Sequence, residues 1–290
     1  MSFDVIGSFG TAGANAGEFS AFWGFGITVS GGIIYISGGQ TRNKIYKFSA
    51  ATPYGFIGES TTNTFSPAVF SNGSIQGGFL FVRDNWTALN KLNITDWVNV
   101  RNTGALVGWC CSDTTKTYIG SSSTAVVRSY LNSDLTQSQT LTLGVTGNQV
   151  ALDDNFLYAV RAVVSATALV SVISKSSFTV VDSWTVSNDA GGSSGSICLY
   201  NDHLLLLGGA NGIRIYNTRA KTLFTTIANP TAIVGADVPL SIFADASGIY
   251  VTYASANKVV VFTNDIPPMS GALTLNRKTS PYTWGQTNYN

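Results

Sequence analysis

The chain has 290 residues, a formal net charge of +1 and 44% hydrophobic residues. Only 11% are charged, against about 25% in ordinary globular chains, and Lys and Arg form no basic stripe, which argues against a nucleic-acid surface built on phosphate neutralisation. A single histidine excludes a multi-histidine zinc site, and three cysteines do not support a disulfide framework.

The N-terminus, Met-Ser-Phe-Asp-Val, lacks a basic region followed by a long apolar run, so no secretory signal is expected. No run of about 18 apolar residues suggests a membrane span. A Gly-rich loop from Gly7 to Gly17 leads through Phe19 into three short runs, Phe25–Val29, Ile33–Ile36 and Lys44–Phe48. Gly31-Gly32 and the segment from Gly38 to Asn43 separate them. Runs of β-branched and aromatic residues bounded by Gly, Asn or Ser are the pattern of antiparallel strands joined by hairpins.

That pattern repeats along the chain. The second run recurs around Tyr35, Phe81, Tyr118, Tyr158, Leu205 and Tyr250, at a period of ~40–45 residues that marks a propeller blade. The first run recurs as Ala68–Ser71, Leu106–Cys111, Gln149–Leu152, Ile197–Tyr200 and Leu240–Phe243. The third recurs as Asn90–Ile94, Val126–Leu131, Leu169–Ile173, Ile213–Tyr216 and Lys258–Phe262. Outer strands are expected at Phe56-Ile57, Trp97–Val100, Gln139–Leu143, Val180–Val186 and Leu223–Ile227. Six units fit. The sixth ends at Asp265 without an outer strand, and the strand Asp4–Gly10 has no partner in unit one, so pairing the two closes the ring. The expected fold is all-β, a six-bladed β-propeller of four-stranded antiparallel blades over residues 1–265, with a C-terminal extension at 266–290.

The opening unit resembles an NHL repeat, whose units run Gly-x-Phe, a strand, Ile-Tyr-Val and Asn-x-Arg/Lys-Ile-x-x-Phe. The matching residues are Gly17-Glu18-Phe19, Gly26–Val29, Ile34-Tyr35-Ile36 and Asn43–Phe48. Unit six keeps Gly248–Val251 and Asn257–Phe262, and unit five keeps Asn211–Tyr216. The middle units are degenerate, and Trp23 stands where the repeat has a proline. The resemblance covers residues 4 to 265 and implies the propeller fold. It implies little about activity, because one scaffold hosts many functions.

Parts for catalysis are few. His203 lies at a strand edge in Asn-Asp-His-Leu-Leu, with no nucleophile-elbow motif in the chain. Asp153-Asp154 stands at the hairpin of unit four without an Asp-x-Asp-x-Asp-Gly calcium loop; acidic residues at hairpins commonly serve turn geometry. Cys110, Cys111 and Cys198 fall in inner strands, where they read as buried thiols. No cofactor or metal is expected. Among the tryptophans, Trp97 and Trp184 read as outer-strand packing residues, and Trp86, flanked by turn residues, as the exposed one. Binding surfaces concentrate on long loops of a rigid ring: Thr11–Phe22, Ser187–Gly195 and Asn229–Pro239. Phe19, Phe22 and Trp23 make the first of these apolar, either for binding or for packing against the channel.

Residues 266–290 begin with Ile-Pro-Pro and carry the apolar anchors Leu273, Leu275, Tyr282, Trp284 and Tyr289. Ala272-Leu-Thr-Leu alternates like an added strand. The segment is expected to be an arm docking on other subunits of an assembly, the other reading being a plug on its own ring. The weakly charged, Ser/Thr/Asn/Gly-rich surface, the missing signal, the initiator Met and the arm together suggest a non-enzymatic module of a bacteriophage particle. It would decorate the virion or contact a host-surface glycan or protein. Two alternatives stay open, an extracellular lectin-like propeller and a hydrolase or lyase at the channel mouth.

Overall fold

The computed structural model describes residues 3–11, 18–19, 26–37, 44–60, 73–84, 88–102, 108–121, 123–144, 146–162, 167–187 and 196–269, with the backbone alone at 83, 84, 100–102 and 162. Among the described residues twenty-four strands form six four-stranded antiparallel sheets. After β1 (Val5–Phe9), the first blade is β2 (Gly26–Ser30), β3 (Ile33–Ser37), β4 (Ile45–Ser49) and β5 (Phe56–Glu59). The second is β6 (Ser74–Gln76), β7 (Phe79–Asp84), β8 (Ala88–Asn93) and β9 (Asn99–Asn102). The third is β10 (Gly108–Ser112), β11 (Lys116–Ser121), β12 (Val126–Leu131) and β13 (Gln137–Thr142). The fourth is β14 (Asn148–Leu152), β15 (Phe156–Ala162), β16 (Thr167–Ser174) and β17 (Thr179–Ser187). The fifth is β18 (Ile197–Tyr200), β19 (His203–Leu207), β20 (Ile213–Asn217) and β21 (Thr222–Ile227). The sixth is β22 (Pro239–Asp245), β23 (Gly248–Tyr253) and β24 (Lys258–Phe262), completed by β1 on the outside. One short helix, α1 (Thr231–Val234), interrupts the long loop before β22.

The core lies between blades. Tyr118 and Val127 of blade three pack with Val150, Leu157 and Ala159 of blade four, and Leu205 and Ile215 of blade five pack with Ile242, Val251 and Val260 of blade six. Middle strands are covered on both faces and read as continuous apolar runs; every residue of β23 is buried. Each such Ile, Val or Tyr contributes about 1.5–3 kcal/mol by leaving water. Outer strands have a wet face, and β13 (Gln-Ser-Gln-Thr-Leu-Thr) is exposed or half-exposed throughout.

Two expectations are corrected. The first strand of blade two is Ser74–Gln76, while Ala68–Ser71 lies outside the described residues. The turn decides this. Gly77-Gly78, with φ of 56° and 80°, makes the two-residue hairpin that blade one builds with Gly31-Gly32, so Gln76 pairs with Phe79 as Ser30 pairs with Ile33. Trp97 is not in an outer strand. It has φ 62° and ends a turn held by the side chains of Asn93, which accepts from Thr95 N–H, and Asp96, which accepts from Val98 N–H. The strand begins at Asn99.

Closure follows the sequence reading. β1 pairs with β24 from Val5–Phe262 to Phe9–Val259. Asp4 and Thr263 exchange hydrogen bonds at 2.9 and 3.0 Å, and Lys258 Nζ donates to the Gly10 carbonyl at 2.7 Å. Gly10 has φ +106°, and a Cβ there would stand 2.3 Å from the Phe19 ring, so only glycine lets the chain turn off the closing strand at this point.

Candidate functional site

All six inner strands line one axial cavity of about 150 Å³, room for about five water molecules. The series Tyr35, Phe81, Tyr118, Tyr158, Leu205 and Tyr250, read from the sequence as equivalent, pairs across the sheets with Thr28, Ser74, Cys111, Ala151, Cys198 and Phe243. These six form one layer around the axis, and all line the cavity. Five are small, which lets six strands converge. Serine hydroxyls stitch the layer beside it. Ser241 Oγ accepts from Ile27 N–H at 3.2 Å, and Ser196 Oγ accepts from Ile242 N–H at 2.8 Å. The thiols there are poor nucleophiles. Burial, with help from adjacent Cys110, pushes Cys111 well above the usual thiol range, and burial pushes Cys198 up to about 12. A protonated thiol neither attacks nor ligates.

Three aspartates, Asp113, Asp153 and Asp245, are occupied at hairpins. Asp153 Oδ1 accepts from Asn155 and Phe156 N–H at 2.8 and 2.7 Å, and its Oδ2 accepts from Tyr158 Oη–H at 3.0 Å. Asp113 repeats this with Thr115, Lys116 and Tyr118, and Asp245 holds Ser247 and Gly248 N–H. This is turn chemistry. Burial, then the neighbouring aspartate, raises Tyr118 and Tyr158 well above the usual phenol range. Among the described residues no three His, Cys, Asp or Glu side chains come together as a metal site.

Asp113 also ties blade three to blade four through Lys175 Nζ at 2.8 Å, and Lys175 donates on to the Asp153 carbonyl at 3.0 Å. Burial alone would raise Asp113, but the Lys175 ammonium and the Thr115 and Lys116 N–H groups outweigh it and bring it down from 3.8 to about 2. A carboxylate whose folded value is depressed adds stability above its unfolded value and loses it as pH falls through the folded one. Asp113→Asn is therefore expected to cost about 1 kcal/mol at pH 7, allowing for screening of a partly exposed pair. The difference should close as pH falls towards 2, in urea melts of both chains. A pH-independent difference would remove the ion pair as its cause.

The expected site residues separate. Phe19 is 1% exposed, with its ring against Tyr46 and Phe48 at 6.0 and 5.7 Å; it packs, and offers no face to a ligand. Phe22, Trp23, Trp86, Leu273, Leu275, Tyr282, Trp284 and Tyr289 lie outside the described residues. His203 is buried, its Nδ1 2.8 Å from the Asn201 carbonyl and its ring 4.7 Å from Phe224, a structural placement. Trp184 packs edge-on against Tyr158, and Trp97 lies 4.4 Å beneath the Lys47 ammonium. The extension starts on its own ring. Ile266 is 3% exposed in the core between blades five and six, and its carbonyl accepts from Asn201 Nδ2 at 3.0 Å. The ring's core thus passes the expected boundary at Asp265 by one residue.

One surface feature was not found from the sequence. Outer strands of four consecutive blades open on exposed apolar residues: Val180 and Val181 in β17, Leu223 in β21, Val5 and Ile6 in β1, and Phe56 and Ile57 in β5, between 38% and 54% exposed. In each strand a β-bulge falls at the same place, with Val181, Phe224, Ile6 and Ile57 as the extra residues. The corresponding bulge of blade three carries Gln137 and Ser138. The bulge breaks the free edge of the ladder, leaving side chains rather than backbone for contact.

Among the described residues no helix is long and apolar enough to cross a membrane. No family model and no curated protein matches the chain. Solved structures do match it in fold. It is similar to BamB from Moraxella catarrhalis at 13% identity and a TM-score of 0.51, covering 86% of this chain and 85% of that one. It is similar to Kuenenia stuttgartiensis hydrazine synthase at 15% identity and a TM-score of 0.60, covering 86% of this chain and 80% of that one. At such identities the likeness concerns the fold, and the chain is a six-bladed β-propeller.

Proposed function

We propose that the chain is a non-enzymatic binding or structural module, an NHL-like propeller serving as a structural, decoration or host-attachment protein of a virus particle, most simply a bacteriophage. Its partners are other protein subunits, met through the arm that follows Ile266, and a host-surface glycan or protein. The observation that carries this reading is the spending of chemistry-bearing groups on construction. Asp113, Asp153 and Asp245 close hairpins, Lys175 and Lys47 bridge blades, and His203 stacks inside a blade. The NHL-like reading is supported by Ile34-Tyr35-Ile36 and Lys258–Phe262 falling on second and third strands. The fold is neutral about catalysis, since one structural neighbour is an enzyme by name.

The test is a truncation after Met269, which spares Ile266 and its core contacts. The shortened chain is expected to melt with the intact one by circular dichroism, while the assemblies formed by the full chain fall to single rings in sedimentation velocity. Unchanged assembly would reject the arm.

A further inference from the structure

Resting on that reading of the arm, we propose that the arc of apolar bulge residues on β17, β21, β1 and β5 receives residues 270–290 of a second copy of this chain. Two rings exchange arms about a two-fold axis. Three observations lead there. First, the arc covers blades four, five, six and one, and the arm leaves the ring at Ile266, in the core between blades five and six. The exit therefore sits at the middle of the arc. The arc residues open their outer strands, at the same end of the blades as the Tyr200–His203 turn that holds Ile266. Donor and acceptor side by side on one ring are what a two-fold exchange needs, since each copy then gives and takes across a single axis.

Second, reach and direction suit a neighbour. Pro267 and Pro268 follow the anchor and are both exposed; a proline pair holds an extended course instead of turning straight back. From Ile266, Leu275 can stand about 30 Å away at ~3.3 Å per extended residue, enough to cross to a ring in contact. Third, the chemistry matches. Beyond Met269 the sequence is polar with spaced anchors, Leu273, Leu275, Tyr282, Trp284 and Tyr289. The arc offers spaced apolar pairs whose bulges discourage strand addition, so anchors meet side chains. Ring-to-ring contact between free strand edges fits this surface less well.

The experiment uses the full chain. A photo-crosslinking residue replaces Leu275, and isotopically heavy and light chains are mixed, crosslinked and read by mass spectrometry. The expected result is heavy-to-light crosslinks ending near residues 5–6, 56–57, 180–181 or 223–224. Crosslinks confined within single chains, or a full chain that sediments only as a single ring, would overturn the proposal. In parallel, Leu223→Asp and Val181→Asp together should weaken the dimer about tenfold or more, as loss of central apolar anchors does, with the ring's melting kept. If truncation after Met269 dissolves the dimer but these substitutions leave it intact, the arm stands and the arc is the wrong acceptor. Should the doubly substituted ring fail to fold, the crosslink on the otherwise unaltered chain decides alone.

Discussion

Removal of residues 1–10 is expected to unfold the ring or lower its melting temperature by more than about 10 °C. Among the described residues β1 is the one outer strand supplied from the opposite end of the sequence, and it adds a backbone ladder to the packing by which blade one meets blade six. Its loss exposes one edge of β24, including the ladder from Val5–Phe262 to Phe9–Val259. It also empties the place of Phe9, which is 9% exposed with its ring 4.8 Å from Phe48 and 5.4 Å from Tyr54. Deleting a buried Phe side chain costs about 3–5 kcal/mol, and each lost ladder bond about 1 kcal/mol. Together these approach the whole stability of an ordinary domain, about 5–15 kcal/mol. Phe9→Ala keeps the strand and should cost only the first of the two terms. A peptide of residues 1–10 added back to the shortened chain should restore part of the melting temperature. If the deletion variant melts with the intact protein, the strand is an ornament and closure lies elsewhere.

Much of this architecture was legible because its determinants are local. A Gly-Gly pair with both φ positive, or an aspartate holding the amides two and three residues on, fixes a hairpin within a few residues. The apolar runs between such turns then have one register available. Blade two shows the rule by exception. Reading Ala68–Ser71 as its first strand ignored Gly77-Gly78, which already selects Ser74–Gln76 as the partner of β7. Trp97 misled for a different reason. Trp-Val-Asn-Val has strand composition, yet Asn93 and Asp96 turn the chain there and bury the indole beneath Lys47. The rim was not legible at all. Val180-Val181 and Phe56-Ile57 look like any strand interior, and their exposure depends on a bulge and on facing away from the next blade. The cavity layer was half legible: the Tyr35 series gave the equivalence, but only the cross-strand pairing shows Cys111 and Cys198 at matching places.

Gly120→Ala is expected to cost about 3 kcal/mol or more, an effect out of scale with one methyl group in a strand. At the inner end of blade three the backbones nest without side chains between them. A Cβ on Gly120 would stand 2.1 Å from the Asn148 carbonyl oxygen of blade four, and one on Gly108 would stand 1.5 Å from the Gly120 oxygen. The obstructing atoms are main chain, so no rotamer change relieves the overlap and the two blades must part. Parting them strains the contact in which Val150 meets Tyr118 and Val127, and in a closed ring that displacement passes to every other interface. Gly58, in the outer strand of blade one, is the control. A methyl added there would have nothing within 4 Å, and its φ is not positive, so Gly58→Ala should change stability by less than about 0.5 kcal/mol. Urea melts of the two variants beside the parent measure the contrast. Equal, small effects would mean that the blades are not in backbone contact at Asn148, and that the narrowness of the axial cavity has another source.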